Sequence, residues 1–271
     1  MRCQACFHHC ELALGQRGYC LARENKDGKI IAANYGLITS LALDPIEKKP
    51  LAYFYPGSYI LSVGSYGCNL ACPFCQNYEI SKENLSKEAV YLSPQDMVDQ
   101  ALALKDQHNI GIAFTYNEPL VGYEYVRDTA KLAHGNDLKT VLVTNGCFSD
   151  EVIDEILPYI DAMNIDLKGF SEEYFKYIGG DLEMTKNFIK KVHLKTHVEL
   201  TTLLVPGKND SDEEIKKMSA WIASLDPNIP LHLTRYFPRY QCKLPPTSYA
   251  DLVRAKKNAE EYLSRVQLGN V

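Results

Sequence analysis

The sequence predicts an α/β fold. We expect a partial, open parallel β/α barrel of about six repeats with a small N-terminal cysteine-rich metal-binding lobe. Three observations predict it. From residue 59 onward, apolar runs of strand length alternate with longer segments whose apolar residues recur every three or four positions. That is the pattern of parallel strands joined by helical crossovers. No repeat, low-complexity segment or linker interrupts this stretch. Before it, four cysteines crowd residues 1–20, where little apolar periodicity offers a core and a metal would serve as the staple. With 271 residues the chain can hold one large domain plus an appendage, and we divide it into 1–57 and 58–271.

The N-terminal lobe carries Cys3, Cys6, Cys10 and Cys20, with His8 and His9 between them. Four sulfurs so close can surround one metal, either zinc or an iron–sulfur cluster. Lys26-Asp27-Gly28-Lys29 turns between two short strands. Asp44-Pro45-Ile46-Glu47-Lys48-Lys49-Pro50-Leu51 reads as an ordered surface loop, because two prolines bracket adjacent lysines. Lys48 and Lys49 are candidates for an anionic partner, with a solvated charge pair the commoner outcome. Strands are expected at 59–64, 109–116, 139–145, 162–168, 197–205 and 230–237. Ser93-Pro94 opens a helix as N-cap and first residue, Ser211 opens another, and a last helix covers about 248–264. Trp221 lies beside the apolar stripe of its helix and is expected to pack.

Directly after the first barrel strand stands Gly67-Cys68-Asn69-Leu70-Ala71-Cys72-Pro73-Phe74-Cys75-Gln76-Asn77. Cys68, Cys72 and Cys75 form a C-x3-C-x2-C array with no fourth cysteine nearby. A 4Fe–4S cube takes four thiolates at most, so three leave one iron open to a small molecule. The bland alternatives are a zinc site with an unseen fourth ligand, or chance cysteines. In a parallel barrel the site lies at the C-terminal ends of the strands, and polar residues do gather at those ends. The second strand ends in Tyr116-Asn117-Glu118-Pro119 and the third in Thr144-Asn145-Gly146. Glu118 is suited to an ammonium, or to capping the next helix. On the fourth strand, period two puts Asn164, Asp166 and Lys168 on one face. Polar groups in a row along a buried strand imply a wet cavity or a ligand, or else an internal ion pair. Glu199 and Thr201 share a face of the fifth strand, as do His232 and Thr234 on the sixth. A hydrogen-bonded core histidine is the safer reading of His232. Arg235, Tyr236 and Arg239 are substrate-side candidates, while Cys147 and Cys242 read as buried thiols.

These motifs together resemble the pyruvate-formate-lyase-activating-enzyme-like branch of the radical S-adenosylmethionine (radical SAM) superfamily. Cys3 to Cys20, Asp44 to Leu51 and the ending Leu268-Gly269-Asn270-Val271 look closer still to one subgroup. That subgroup is the radical SAM enzyme of the AmmeMemoRadiSam system, whose members often continue into a further cysteine-bearing tail. The resemblance implies a 4Fe–4S cluster on Cys68, Cys72 and Cys75, with SAM chelating the open iron. It implies that Asn117 and Glu118 hold the SAM amino group, in place of a Gly-Gly-Glu segment. Thr144 and Asn145 would meet the ribose, Asp166 and Lys168 the carboxylate end, and Phe74 and Val205 the adenine. It further implies an external electron donor such as ferredoxin or flavodoxin, and the subgroup resemblance points to Memo-like and AMMECR-like partners.

Composition narrows the rest. A net charge of −5 advertises no basic face for nucleic acid, and no apolar run is long enough to span a membrane. Seven of nine cysteines fall in two tight groups, which in a reducing compartment means metal ligands; we read the chain as cytoplasmic. The expected function is reductive cleavage of SAM to a 5′-deoxyadenosyl radical that takes hydrogen from an unidentified protein or small molecule. The alternatives are a glycyl-radical-enzyme activase and an iron–sulfur electron carrier without SAM chemistry.

Overall fold

The computed structural model describes residues 1–82 and 89–271. An antiparallel hairpin comes first: β1 (Arg23–Lys26) and β2 (Lys29–Ala32) turn through Asp27 and Gly28, at φ 52° and 76°. The short β3 (Leu37–Ile38) pairs with β6 (Val90–Tyr91). All remaining strands belong to one sheet. They are β4 (Ser40–Pro45), β5 (Tyr59–Gly64), β7 (Asn109–Phe114), β8 (Lys139–Thr144), β9 (Ala162–Asp166), β10 (His197–Leu204), β11 (Leu231–Arg235) and β12 (Val266–Gly269). Their order is β12-β11-β10-β9-β8-β7-β5-β4. From β5 to β12 every pairing is parallel; β4 joins antiparallel to β5 at the edge.

The helices are α1 (Tyr78–Lys82), α2 (Pro94–Ala103), α3 (Tyr123–His134), α4 (Asp150–Ile156), α5 (Glu172–Tyr177), α6 (Leu182–Val192), α7 (Asp212–Leu225) and α8 (Tyr249–Glu260). Local chemistry starts them where the sequence says. Ser93 forms a capping box with Asp96 and sets Pro94 in the first turn of α2, while Ser211 caps α7 through the Glu214 N–H. No described helix is long and apolar enough to cross a membrane.

All six expected strands are present. Several stop short of their expected ends, because the last residues leave the ladder to build loops. The second ends at Phe114, and Tyr116 turns away with φ 72°; the fourth ends at Asp166. β12 and β4 were not expected. β12 is four residues long with only Val266 and Leu268 apolar, too short for a periodic signal.

The segment 44–55 corrects the surface-loop expectation. Ile46 and Leu51 are fully buried, and so is the Lys49 side chain, at 2% exposure. Ile46 and Leu51 pack with Ile60, Ala113, Val141 and Ala162 from four neighbouring strands. The Pro50 carbonyl accepts from Asn164 Nδ2 at 2.8 Å, and the Ala52 and Tyr53 N–H groups donate to Glu199 at 3.0 and 2.8 Å. Strands from β5 to β10 thus converge on one segment, and the sheet curves round it as an open barrel round a plug. Each large apolar side chain so enclosed contributes about 1.5–3 kcal/mol. The expected division at residue 57 therefore falls at no structural break, since β4 and the plug belong to the barrel.

Candidate functional site

A cavity of about 360 Å³ opens at the C-terminal ends of the strands. Cys68, Cys72 and Cys75 line it, together with Phe74, Asn117, Glu118, Thr144, Asn145, Asp166 and Lys168. A larger open depression of about 810 Å³, around His134, Asp161 and His197, contains no cysteine.

The cysteine loop follows β5 and is pinned from several directions. The Glu118 N–H and Asn117 Nδ2 both donate to the Gly67 carbonyl at 3.2 Å. Asn69 donates to the Cys147 carbonyl at 2.9 Å and accepts from Asn145 Nδ2 at 2.8 Å. The Ala71 N–H reaches the Ile178 carbonyl at 2.7 Å, and the Pro73 carbonyl accepts from Gln241 and Cys242, both at 2.9 Å. The N-terminal lobe presses on the same loop: His8 Nε2 donates to the Asn69 carbonyl at 2.8 Å. Gly67, at φ 94°, lies so close to Cys20 that a Cβ would overlap its carbonyl oxygen. Gly67→Ala is therefore expected to combine backbone strain with overpacking, costing about 1–3 kcal/mol. Iron bound per chain after reconstitution should fall, and thermal melting should start earlier.

Glu118 is 3% exposed and sits where β7 passes into the next helical turn. One oxygen accepts from the Leu120 N–H (3.1 Å) and the Thr144 hydroxyl (2.7 Å); the other accepts from the Asn145 N–H (2.8 Å). The capping alternative is thus realised, and a carboxylate offering about four lone-pair sites keeps one free. No described Lys, Arg or His forms a salt bridge with it. Burial accordingly pushes Glu118 up to about 7, against the pull of those three donors. Nearby, Lys168 Nζ pairs with Asp166 at 2.7 Å. Burial opposes the Lys168 charge, but Asp166 and then Cys72 raise its pKa overall. Burial pushes the Cys68 thiol up, and Cys72 up to about 11. Bare thiols would stay protonated there, and a metal is what ionises them.

Tyr116 holds the backbone at φ 72° where the Gly-Gly-Glu pattern has glycine, a region bulky residues rarely adopt. Asn77 Nδ2 donates to its carbonyl at 2.7 Å, and its hydroxyl donates to Asp44 at 2.7 Å. Among the expected contacts, Val205 does not reach the cavity lining: it is fully buried, with its N–H held by Asn209 Oδ1 at 2.7 Å. Thr201, Leu203 and Thr234 line the cavity instead, by the alternation of β10 and β11. Arg235, Tyr236 and Arg239 are also absent from the lining; the Tyr236 hydroxyl is turned to the Cys242 carbonyl at 3.2 Å. His232 is the hydrogen-bonded core histidine, 2.6 Å from Glu199. Cys147 and Cys242 are buried thiols.

In the N-terminal lobe, Cys3, Cys6 and Cys20 are buried and Cys10 is half-buried. Burial pushes Cys6 up to about 12; the His8 backbone opposes this, and Cys20, Cys3 and Cys10 add to it. The four thiols are therefore near neighbours. Among the described residues, no three His, Cys, Asp or Glu side chains converge on one ion position. The thiolates of an iron–sulfur cube each take a separate iron and stand further apart than the ligands of one zinc.

The radical SAM superfamily model matches residues 62–221, from inside β5 to α7. The chain belongs to the radical SAM superfamily. It is 39% identical over 278 aligned positions to an uncharacterized protein of Methanocaldococcus jannaschii, an alignment covering 100% of this chain and 81% of that one. It is 27% identical over 171 positions to the pyruvate formate-lyase-activating enzyme of Staphylococcus epidermidis, covering 59% and 67% of the two chains. Among solved structures, a domain of such an activating enzyme from Bacteroides vulgatus has a TM-score of 0.52 at 21% identity, covering 59% of this chain and 99% of that one. SuiB of Streptococcus suis with bound SAM has a TM-score of 0.61 at 14% identity, covering 76% and 48%. The two structures support the fold. As a radical SAM enzyme the protein uses a 4Fe–4S cluster and SAM. Its donor set suits both: three thiols, a buried carboxylate with no cationic partner among the described residues, and a lysine share one cavity.

Proposed function

We propose that this radical SAM protein cleaves SAM reductively at a cluster on Cys68, Cys72 and Cys75, and that a substrate in the same cavity gives up a hydrogen atom. Glu118 carries the reading: a buried carboxylate with no cationic partner among the described residues, beside three thiols. When bound, the cluster supplies the electron that splits the sulfonium, leaving methionine and a 5′-deoxyadenosyl radical. The chain's own residues bind and shield. Glu118 takes the amino group on its free lone pair, with Asn117 holding the loop beneath it. Lys168, steadied by Asp166, takes the carboxylate. Asn145 and Thr144 face the ribose, and Phe74 keeps water from the cluster.

The likeness to activating enzymes supports a second reading of the target, a glycyl radical enzyme rather than a small molecule. A plain electron carrier has no use for a buried ammonium-accepting carboxylate. The reducing electron comes from an external donor such as a ferredoxin or flavodoxin, in a cytoplasmic setting that keeps the grouped cysteines reduced. Memo-like and AMMECR-like proteins are proposed partners on the residues quoted above. Cys3, Cys6, Cys10 and Cys20 are proposed as a second metal site, zinc or iron–sulfur.

The test is anaerobic reconstitution with iron and sulfide, then dithionite and SAM. The wild type is expected to release 5′-deoxyadenosine and methionine in equal amounts, and Cys72→Ala none. An intact cluster that releases neither would favour the carrier. About four irons per chain would mean one cluster and about eight would mean two.

A further inference from the structure

The plug supplies part of the cavity wall, and the residues it places there have no part in SAM binding as read above. Lys48 and Lys49 line the cavity together with Tyr116, Thr201 and Thr234. Lys49 Nζ donates to Asp44 Oδ2 at 2.8 Å, Lys48 Nζ donates to Asp44 Oδ1 at 3.2 Å, and the Tyr116 hydroxyl donates to Oδ2 at 2.7 Å. One carboxylate therefore serves two ammonium groups and a phenol, and the set keeps a net positive charge. Burial works against the Asp44 charge, but the hydrogen bonds from Lys49, Tyr116 and Lys48 outweigh it and hold its carboxyl well below the usual range. The Lys49 side chain is only 2% exposed, whereas that of Lys48 is 66% exposed. Lys49 also stands 5.2 Å from the centre of the Tyr116 ring, the residue kept at φ 72°.

The buried Lys49 charge is matched by Asp44, so the surplus positive charge of the set is carried by the exposed Lys48 at the cavity wall, where an entering anion would meet both ammonium groups. A second, independent observation points to a ligand. The Thr201 hydroxyl is buried, has no hydrogen-bond partner among the described residues, and belongs to a cavity-lining residue 7% exposed. Glu118 and the Asp166–Lys168 pair, the other charged groups of the lining, are occupied by the SAM reading.

We propose that this wall is the substrate subsite and binds an anionic group, a carboxylate or a phosphate, with Lys49 as the inner clamp, Lys48 as the outer one and Thr201 as a hydroxyl donor. The proposal rests on the reading of the cavity as the reaction chamber and adds the chemical class of what enters it. Tyr116 acts as a positioning residue: its hydroxyl orients Asp44, which in turn spaces the two ammonium groups.

The test is calorimetric titration of the reconstituted, SAM-loaded protein at constant ionic strength, with inorganic phosphate in one arm and acetate in the other. One saturable site is expected. Lys49→Gln should weaken it by about tenfold, whereas Asp44→Asn, which breaks the same ion pair but frees both ammonium groups, should tighten it severalfold. Lys29→Gln, on the exposed hairpin turn, should bind as wild type. Saturation by phosphate alone assigns a phosphate-bearing substrate, by acetate alone a carboxylate, and by both a site that reads charge only. No saturation by either anion overturns the proposal. So does equal weakening by Lys49→Gln and Asp44→Asn, which would mark the pair as purely structural. The titration uses no reductant, so a failed SAM-cleavage assay with intact anion binding would sink the reaction and spare the subsite.

Discussion

Glu118→Gln is expected to raise the dissociation constant for SAM by roughly 30- to 1000-fold, the equivalent of about 2–4 kcal/mol. The carboxylate accepts from Leu120, Thr144 and Asn145 and keeps one lone pair toward the cavity. Glutamine preserves the shape but offers one oxygen, and its NH2 group must face a donor. It also removes the negative charge that faces a buried ammonium at that position. The pH profile separates this from a general loosening of the site. Burial pushes Glu118 up to about 7. For an acid shifted upward, the folded chain holds a proton that the unfolded chain has released. In the ligand-free protein this group therefore disfavours folding progressively as pH rises from about 4.5 through 7. An ammonium placed against it reverses the sign. Wild-type affinity for SAM should fall as pH drops below about 7, approaching tenfold per unit, while Glu118→Gln stays flat over that range. Equilibrium dialysis across pH measures both. Equal dissociation constants for the two proteins would remove Glu118 from the site.

The second large effect is on stability. Glu199→Gln is expected to cost about 3–5 kcal/mol and to lower the melting temperature by on the order of 10 °C. Glu199 is fully buried and accepts four hydrogen bonds: from the Ala52 and Tyr53 N–H groups, from His197 at 2.9 Å and from His232 at 2.6 Å. Every neighbour donates to the carboxylate, so the amide NH2 of glutamine must face a donor or force a histidine into its other tautomer. Burial works against the Glu199 charge, yet the hydrogen bonds from the two histidines and the two backbone N–H groups prevail and hold it at about 2. A carboxylate shifted downward contributes stability that is fully present above its unfolded value near 4.5 and is lost as pH falls through about 2. The gap between wild type and Glu199→Gln should therefore be constant above about pH 5 and narrow on acidification. Thermal melts at a series of pH values test this. A gap independent of pH down to the acid limit would count against it.

Much of this protein was legible in its residues. The six strands and the starts of α2 and α7 follow from apolar period and capping chemistry, which act over a few neighbours. The cysteine array and the acidic, amide and lysine positions at the strand ends could be picked out because a parallel barrel puts its strand C-termini on one side. Val205 lies outside the cavity lining, with its N–H bonded to Asn209, a pairing that no local pattern announces. Tyr116 gave no signal of its φ, because a left-handed residue that is not glycine is kept by its surroundings, here Asn77 and Asp44.

The sequence by itself determined the family's chemistry: three thiols at a spacing that leaves one iron free, after a strand, with a carboxylate and a lysine at later strand ends. Only the tertiary structure decided what fills the barrel and what faces its cavity. Pro50 meets Asn164, and Ala52 and Tyr53 meet Glu199, across more than a hundred residues of chain. Local propensity reads 44–51 as two prolines and a charged pair on a surface. Enclosure by the sheet turns the same residues into a plug and buries Lys49, because burial depends on which distant strands close around a segment rather than on the segment itself.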